Sequence, residues 1–166
     1  MNFEIRKMLP EDGAKVLEIF GEGIEGGNAT FDKDVPSWES WNINHLNCCR
    51  FVLEDEHDNV VGWCALKPVS NRHCFRGVAE VSIYLANSHQ GKGLGTYLLK
   101  KLILDSEENG FWTLQSGIFP ENERSIAMFQ KQGFRKVGVR ERMAEMNGVW
   151  RDYFLLERRS SVVESV

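Results

Sequence analysis

The stretch from Val81 to Leu104 constrains this chain more than any other. Val81-Ser82-Ile83-Tyr84-Leu85 reads as a strand, Ala86-Asn87-Ser88-His89 leads out of it, and Gln90-Gly91-Lys92-Gly93-Leu94-Gly95-Thr96 runs straight into a helical pattern. Alternating glycines free the backbone to turn so that successive N–H groups point into one concavity. The start of the helix adds its partial positive charge. Strand, glycine loop and helix together make a receptor for a phosphate or pyrophosphate. Lys92 lies inside the loop, and no acidic residue occurs from Val81 through Leu104. The same glycines would also serve a tight turn that only packs helix on strand. Two other phosphate motifs do not fit. No G-x-x-x-x-G-K-[ST] string occurs, and Thr96 stands where a dinucleotide fingerprint has its third glycine.

The rest of the chain alternates strand and helix patterns. Phe3 to Met8 alternates like a half-buried strand, and Pro10-Glu11-Asp12 opens a helix with Val16, Leu17, Phe20 and Ile24 on one face. Gly26-Gly27-Asn28 stops it. Ser37 is an N-cap for a second helix carrying Trp38, Trp41 and either His45 or Leu46. Arg50 to Leu53 and Val60 to Leu66 read as strands turning at His57-Asp58-Asn59, and Val78 to Leu85 is a further strand. Gly91 to Leu104 is helical, with Leu94, Leu98, Leu102 and, on one reading, Tyr97 inward. Phe111 to Ile118 is a strand, and Glu121 to Gln132 is a helix capped at Gly133 with Ile126 and Phe129 inward. Phe134 to Met146 and Val149 to Leu156 form a hairpin at Asn147-Gly148. The reading is α/β (α+β): one domain over residues 1–158, a mixed sheet of about seven strands flanked by about four helices, and a polar, frayed tail at 159–166.

Composition excludes several classes. A chain of 166 residues buries about 70% of its unfolded surface and needs neither disulfide nor metal to hold a core. The 42% hydrophobic and 27% charged fractions are those of a soluble globule. No apolar run approaches the roughly 20 residues of a membrane span, and Met1 to Pro10 shows no signal-peptide run. A net charge of −4 argues against nucleic-acid or anionic-membrane partners. The expectation is a cytoplasmic protein. Cys48, Cys49, Cys64 and Cys74 form no C-x-x-C pair. His45 with Cys48, or His73 with Cys74, lacks a second pair to complete a tetrahedral set, so no metal is expected.

The loop fits the form Q-x-x-G-x-G, as Gln90, Gly93 and Gly95. Downstream, Asn122-Glu123-Arg124-Ser125-Ile126-Ala127-Met128-Phe129-Gln130-Lys131-Gln132-Gly133-Phe134 fits N-x-x-S-x-x-x-[FYH]-x-K-x-G-F. In both the chain resembles the GCN5-related N-acetyltransferase (GNAT) superfamily. Ala29-Thr30-Phe31, Arg72, Ala79 to Tyr84 and Gly148-Val149-Trp150-Arg151-Asp152 resemble a narrower branch, the phosphinothricin and methionine-sulfoximine acetyltransferases. The resemblance spans Ile5 to about Leu156.

It implies acetyl-CoA as cosubstrate and a small amine as acceptor. Gln90, Gly91, Lys92, Gly93, Leu94, Gly95 and Thr96 would cradle the pyrophosphate. Ile83, Tyr84 and Leu85 would run beside the pantetheine arm, and the Leu85 N–H would face the oxyanion. Asn122 and Ser125 would touch the same arm. Glu80 would remove the ammonium proton, although without the resemblance it reads first as a strand-end charge, solvated or paired with Arg76. Arg72, a guanidinium suited to a carboxylate or phosphinate, and Phe31 would bind the acceptor. Trp150 would be core or pocket rim and Asp152 a local hydrogen-bonding residue. A homodimer is the branch's expected assembly.

Two departures stand out. Phe129 occupies a position where many members carry Tyr, so it returns no proton to the leaving thiolate. Arg72-His73-Cys74-Phe75 replaces an R-P-A-Y run, which alters the acceptor pocket. An acceptor such as a polyamine, an aminoglycoside or a protein N-terminus stays open, since Glu22, Glu25, Asp32 and Asp34 could supply an acidic cluster. A non-catalytic acetyl-CoA-sensing module stays open too; it would keep the loop and not need Glu80.

Overall fold

Val60-Val61-Gly62-Trp63-Cys64-Ala65-Leu66 carries no polar alternation, the pattern of a strand covered on both faces. In the computed structural model, which describes residues 2–164, it forms most of strand β3 (Val60–Pro68), buried from Val60 through Leu66. β3 stands in a seven-stranded sheet with β1 (Glu4–Lys7), β2 (Phe51–Glu54), β4 (Val78–Leu85), β5 (Thr113–Ile118), β6 (Arg135–Met146) and β7 (Val149–Arg159). The spatial order is β1-β2-β3-β4-β5-β7-β6. Four helices flank it: α1 (Gly13–Gly26), α2 (Trp38–Asn44), α3 (Leu94–Glu108) and α4 (Glu123–Lys131). This is the mixed α/β domain read from the sequence.

Side-chain alternation splits the core into two layers. Cys64 and Leu66 of β3 meet Leu94, Leu98, Leu99 and Leu102 of α3 and Phe129 of α4. Val60, Trp63 and Ala65 face the other way, against Val16, Ile19 and Phe20 of α1 and Trp41 of α2. Each such side chain, fully buried, contributes roughly 1.5–3 kcal/mol.

β4 and β5 are the one parallel pair among the described residues, joined by the α3 crossover that parallel strands require. They pair only at Val78–Thr113, Ala79–Leu114 and Glu80–Gln115. Beyond Glu80, β4 keeps β3 as its partner to Leu85, while β5 keeps β7 to Ile118. The sheet opens between them.

Several local expectations change. Tyr97 is exposed, and Leu99 and Ile103 join the expected Leu94, Leu98 and Leu102 on the inward side of α3. Trp150 is 56% exposed, at the rim of a shallow cleft and not in the core. The tail is anchored further than its polar composition implies. β7 runs to Arg159, and buried Ser160 donates its N–H to the Trp112 carbonyl (2.8 Å) and its hydroxyl to Glu107 (2.9 Å). That hydroxyl oxygen also accepts from the Val162 and Val163 N–H groups. Residues 1, 165 and 166 lie outside the described residues. Asn147 (φ 53°) and Gly148 (φ 79°) adopt the left-handed pair expected of the hairpin. Asp152 accepts the Arg142 N–H at 2.6 Å, within the bulge of β6. No helix among the described residues is long and apolar enough to cross a membrane.

Candidate active site

The opening between β4 and β5 leaves backbone groups of β4 without a strand partner. Ala86 N–H donates to the Val61 carbonyl at 2.9 Å, and Gly62 pairs with Leu85 in the next register position. Antiparallel pairs alternate between bonded and non-bonded positions. Leu85 and Ile83 therefore turn their N–H and C=O groups toward the gap, and Val81 its C=O, while the Val81 N–H is used in the last parallel pairing at Gln115. The amide of Gln90 caps one of them, donating to the Leu85 carbonyl at 3.4 Å and to Asn87 Oδ1 at 3.3 Å.

A cavity of about 680 Å³ passes through this gap. Ile83, Ser125 and Phe129 line it on the α3–α4 side, and Trp63, Glu80 and Tyr84 on the α1–α2 side. The segment between α1 and α2 covers the second side with Thr30, Phe31 and Asp32. Phe31 packs its ring on Phe119 (4.7 Å between centroids) and on Tyr153 (6.1 Å). Arg151 of β7 holds that segment in place. Its guanidinium donates to the Gly27 carbonyl (3.1 Å), to Asn28 Oδ1 (2.8 Å) and to the Glu121 carboxylate (3.1 Å), lying 4.2 Å from the Phe119 ring centre.

The α1–α2 side is an aromatic box. Tyr84 stacks on Trp63 (5.0 Å) and meets Phe20 edge-on. It fits because Gly23 of α1 has no side chain: a Cβ there would sit 2.8 Å from the Tyr84 ring. Burial pushes the Tyr84 phenol up, and the Asp32 and Glu80 charges add to this, so it stays protonated. His45 stacks on Trp41 at 3.9 Å, and its Nδ1 lies 2.7 Å from the Trp41 carbonyl, the contact of an Nδ1–H donor. Burial lowers its pKa to about 4, so the imidazole is neutral at neutral pH. No ion pair among the described residues involves Glu80, and Arg76 instead lies over the Trp112 ring at 5.2 Å.

At the far end of β4, a 3-10 turn at Asn87–His89 leads into the glycine loop. Gly91 (φ 77°) and Gly93 (φ 76°) take left-handed conformations, and Gly93 is the N-cap of α3 with no side chain capping the helix. The first N–H groups of α3 thus keep their donor capacity. A Cβ on Gly91 would lie 3.2 Å from the Arg124 guanidinium, so two exposed cations, Lys92 and Arg124, stand beside the loop. An extended ligand with amides along its length and phosphates at one end fits this edge and this loop.

Of the expected site residues, Glu80, Ile83, Tyr84, Asn122, Ser125 and Phe31 line the one cavity. Leu85 and Gln90 to Thr96 continue from it along the strand and loop. Tyr84 contributes its ring to the α1–α2 side, opposite the side where the resemblance puts the cofactor. Arg72 lies outside the cavity, exposed between β3 and β4, with its guanidinium 5.4 Å from the Phe75 ring centre. Sequence reasoning passed over Lys67, Ser116 and Tyr153, which line the cavity, and over Arg124 and Arg151. Arg124 stands inside the N-x-x-S stretch, where its charge was a usable signal. The others are brought in by tertiary structure.

Residues 16–134 match the model of the Acetyltransferase (GNAT) family. The chain is 36% identical over 150 residues to YwnH of Bacillus subtilis (strain 168), which carries a provisional phosphinothricin acetyltransferase name, with 88% of this chain and 92% of that protein covered. It is 28% identical over 162 residues to the L-methionine sulfoximine/L-methionine sulfone acetyltransferase of Pseudomonas aeruginosa, covering 95% and 94% of the two chains. Among solved structures it superposes at a TM-score of 0.88 on a GNAT superfamily phosphinothricin acetyltransferase from Sinorhizobium meliloti in complex with acetyl-CoA. That pair is 27% identical, with 96% of this chain and 89% of the other covered. Splayed strands, glycine loop and relatives agree: the chain belongs to the acetyltransferase (GNAT) family.

Proposed function

We propose that this protein moves the acetyl group of acetyl-CoA to the amino group of a small amino-acid-like acceptor, of the phosphinothricin, methionine sulfoximine or methionine sulfone kind. The observation that carries the reading is the cavity crossing the sheet at Glu80, where β4 and β5 part. Acetyl-CoA supplies the activated acetyl group. The N–H groups of the Gln90–Thr96 loop, with Lys92 and Arg124, hold its pyrophosphate. Asn122 and Ser125 touch the arm, and the backbone of Ile83 with the N–H of Leu85 aligns it as an added strand. On this reading the Leu85 N–H donates to the thioester carbonyl oxygen. Glu80 takes the proton from the acceptor ammonium, directly or through water, and leaves the nitrogen lone pair free. Phe31 packs on the acceptor side chain. Phe129 has no proton to give, so the thiolate, with a free-thiol pKa of about 8.5, leaves without a general acid from α4.

The protein acts in the cytoplasm as a homodimer on this reading. Val137, Val139, Met143 and Val149 leave apolar side chains exposed along β6 and β7, which a second copy would cover; a monomer mass in sedimentation at micromolar concentration would reject the dimer. The activity is tested by following CoA release with methionine sulfone, spermidine and an aminoglycoside. Glu80→Gln should lower kcat on methionine sulfone by about 10²–10⁴-fold while the KM for acetyl-CoA stays within about twofold. Acetyl-CoA binding with no turnover of any amine would instead mark a sensor. Preferential turnover of spermidine would move the acceptor class.

A further inference from the structure

Lys67 and Glu80 are cross-strand partners in the register of β3 and β4, two positions along from Ala65 and Ser82 and four from Trp63 and Tyr84. They share the face of the sheet that forms the aromatic box, both are half-buried, and both line the cavity. Cβ atoms of directly opposed residues lie about 4.5–5.5 Å apart. Even so, the ammonium and the carboxylate make no ion pair with each other, and neither side chain has a hydrogen-bond or ion-pair partner among the described residues. Lys67 is the one lysine or arginine lining the cavity among the described residues. A positive and a negative side chain thus stand side by side and unused, facing the same space.

We infer that Lys67 receives the anionic group of the acceptor, so that Lys67 and Glu80 together select a zwitterion: an amine with a carboxylate on the neighbouring carbon. This rests on the proposed function, in which the α1–α2 end of the cavity holds the acceptor and Glu80 meets its nitrogen. An α-amino acid presents two opposite charges one bond either side of the same carbon, and the register sets side chains of the complementary charges next to each other on one face of the sheet. The charge balance of the wall points the same way. Asp32 and Asp34 also line the cavity, from the segment between α1 and α2, and acids alone would suit a polycation. A partly desolvated ammonium among them repels a second positive group and leaves a polyamine unpaired at that end. The acceptor carboxylate relieves it. Arg72 cannot do this work from its place over Phe75, outside the cavity.

The test pairs methionine sulfone with its carboxamide, which keeps the amine and side chain and removes the negative charge. Wild-type protein should turn over the acid with a kcat/KM about 10- to 100-fold above that of the amide, the range of one charge-assisted hydrogen bond. Lys67→Met should raise the KM for the acid by a similar factor, leave kcat within about threefold, and bring the acid-to-amide ratio close to one. Lys67→Arg should restore most of the ratio. Quenching of the cavity tryptophans by methionine sulfone, titrated without acetyl-CoA, should weaken in step in Lys67→Met, and matching thermal melts would exclude a folding defect. An unchanged acid-to-amide ratio in Lys67→Met overturns the assignment and leaves the acetyltransferase reading standing. Turnover confined to amines without a carboxylate, at rates indifferent to Lys67, overturns both.

Discussion

The two faces of the sheet are built on different terms. On the α3–α4 face the interior is mainly aliphatic: Leu66, Leu94, Leu98, Leu99 and Leu102 interlock, and no buried side-chain polar atom there lacks a partner among the described residues. On the α1–α2 face, rings replace methyl groups. Trp41, His45 and Trp63 leave three buried ring nitrogens, Trp41 Nε1, His45 Nε2 and Trp63 Nε1, without hydrogen-bond partners. A buried polar atom left unpaired costs about 1–3 kcal/mol. One face is therefore spent on packing, and the other accepts a stability cost around the end of the cavity proposed to hold the acceptor. Such local conflicts concentrate at functional sites.

The sharpest way to separate the faces is to weaken the one that packs. Leu98 is fully buried on α3. Leu98→Ala should cost about 2–5 kcal/mol, lowering the melting temperature by roughly 10 °C in a domain of this size. Below the transition, KM for acetyl-CoA and for the acceptor should stay near wild type. A drop of only a degree or two would show that the aliphatic face does not dominate stability.

The second test uses the imidazole of the aromatic face. His45 is held down to about 4 by burial, against an ordinary value near 6.5. Between those values the unfolded chain binds a proton that the folded chain does not, so stability is full above about pH 6.5 and falls as pH drops toward 4. The loss amounts to at most about 3 kcal/mol. Asp12, held below the usual carboxylate value by hydrogen bonds from Arg6, acts in the same direction but only at lower pH. Urea unfolding at pH 7 and pH 4.5 should show the decline in wild type and a flatter profile in His45→Phe, which keeps the ring and removes the titration. Equal slopes in the two proteins would mean that His45 does not stay neutral in the fold.

The contrast between the faces also explains what the sequence revealed. The proposed cofactor side rests on backbone geometry, and backbone geometry is written in contiguous residues: a strand, Gln90 to Gly95, then a leucine-spaced helix. The seven strands and four helices followed from the same local patterns, with ends off by a few residues where caps decide them. The proposed acceptor side is assembled from α1, α2, β3 and the segment between the helices. Lys67 is only the polar end of an apolar run until the β3–β4 register sets it beside Glu80. Arg72 shows the converse: eight residues before Glu80, it looked like an anchor, yet the chain between β3 and β4 carries it to the surface. Ser160 read as tail because its composition is polar, while its hydroxyl ties Glu107 to the backbone of residues 162 and 163.

Arg151 lies where the faces meet, and its effect should be the smallest and the most selective. Its side chain is 16% exposed, and three of its four hydrogen-bonding partners belong to segments bordering the cavity: Gly27 and Asn28 after α1, and Glu121 before α4; the fourth is the Met146 sulfur at 3.7 Å. Arg151→Met keeps the stem over Phe119 and removes the fork. Losing these partly exposed contacts should cost about 1 kcal/mol, read as a KM for the acceptor raised about fivefold, with kcat and the melting temperature little changed. Arg151→Lys should recover only part, since an ammonium cannot span three acceptors as a guanidinium does. Because Asn122 also donates to the Asn28 carbonyl at 3.3 Å, the loosened segment has one route to the cofactor side. If the KM for acetyl-CoA rose as much as that for the acceptor, the segment between α1 and α2 would serve both substrates, and the division between the faces would hold for packing alone.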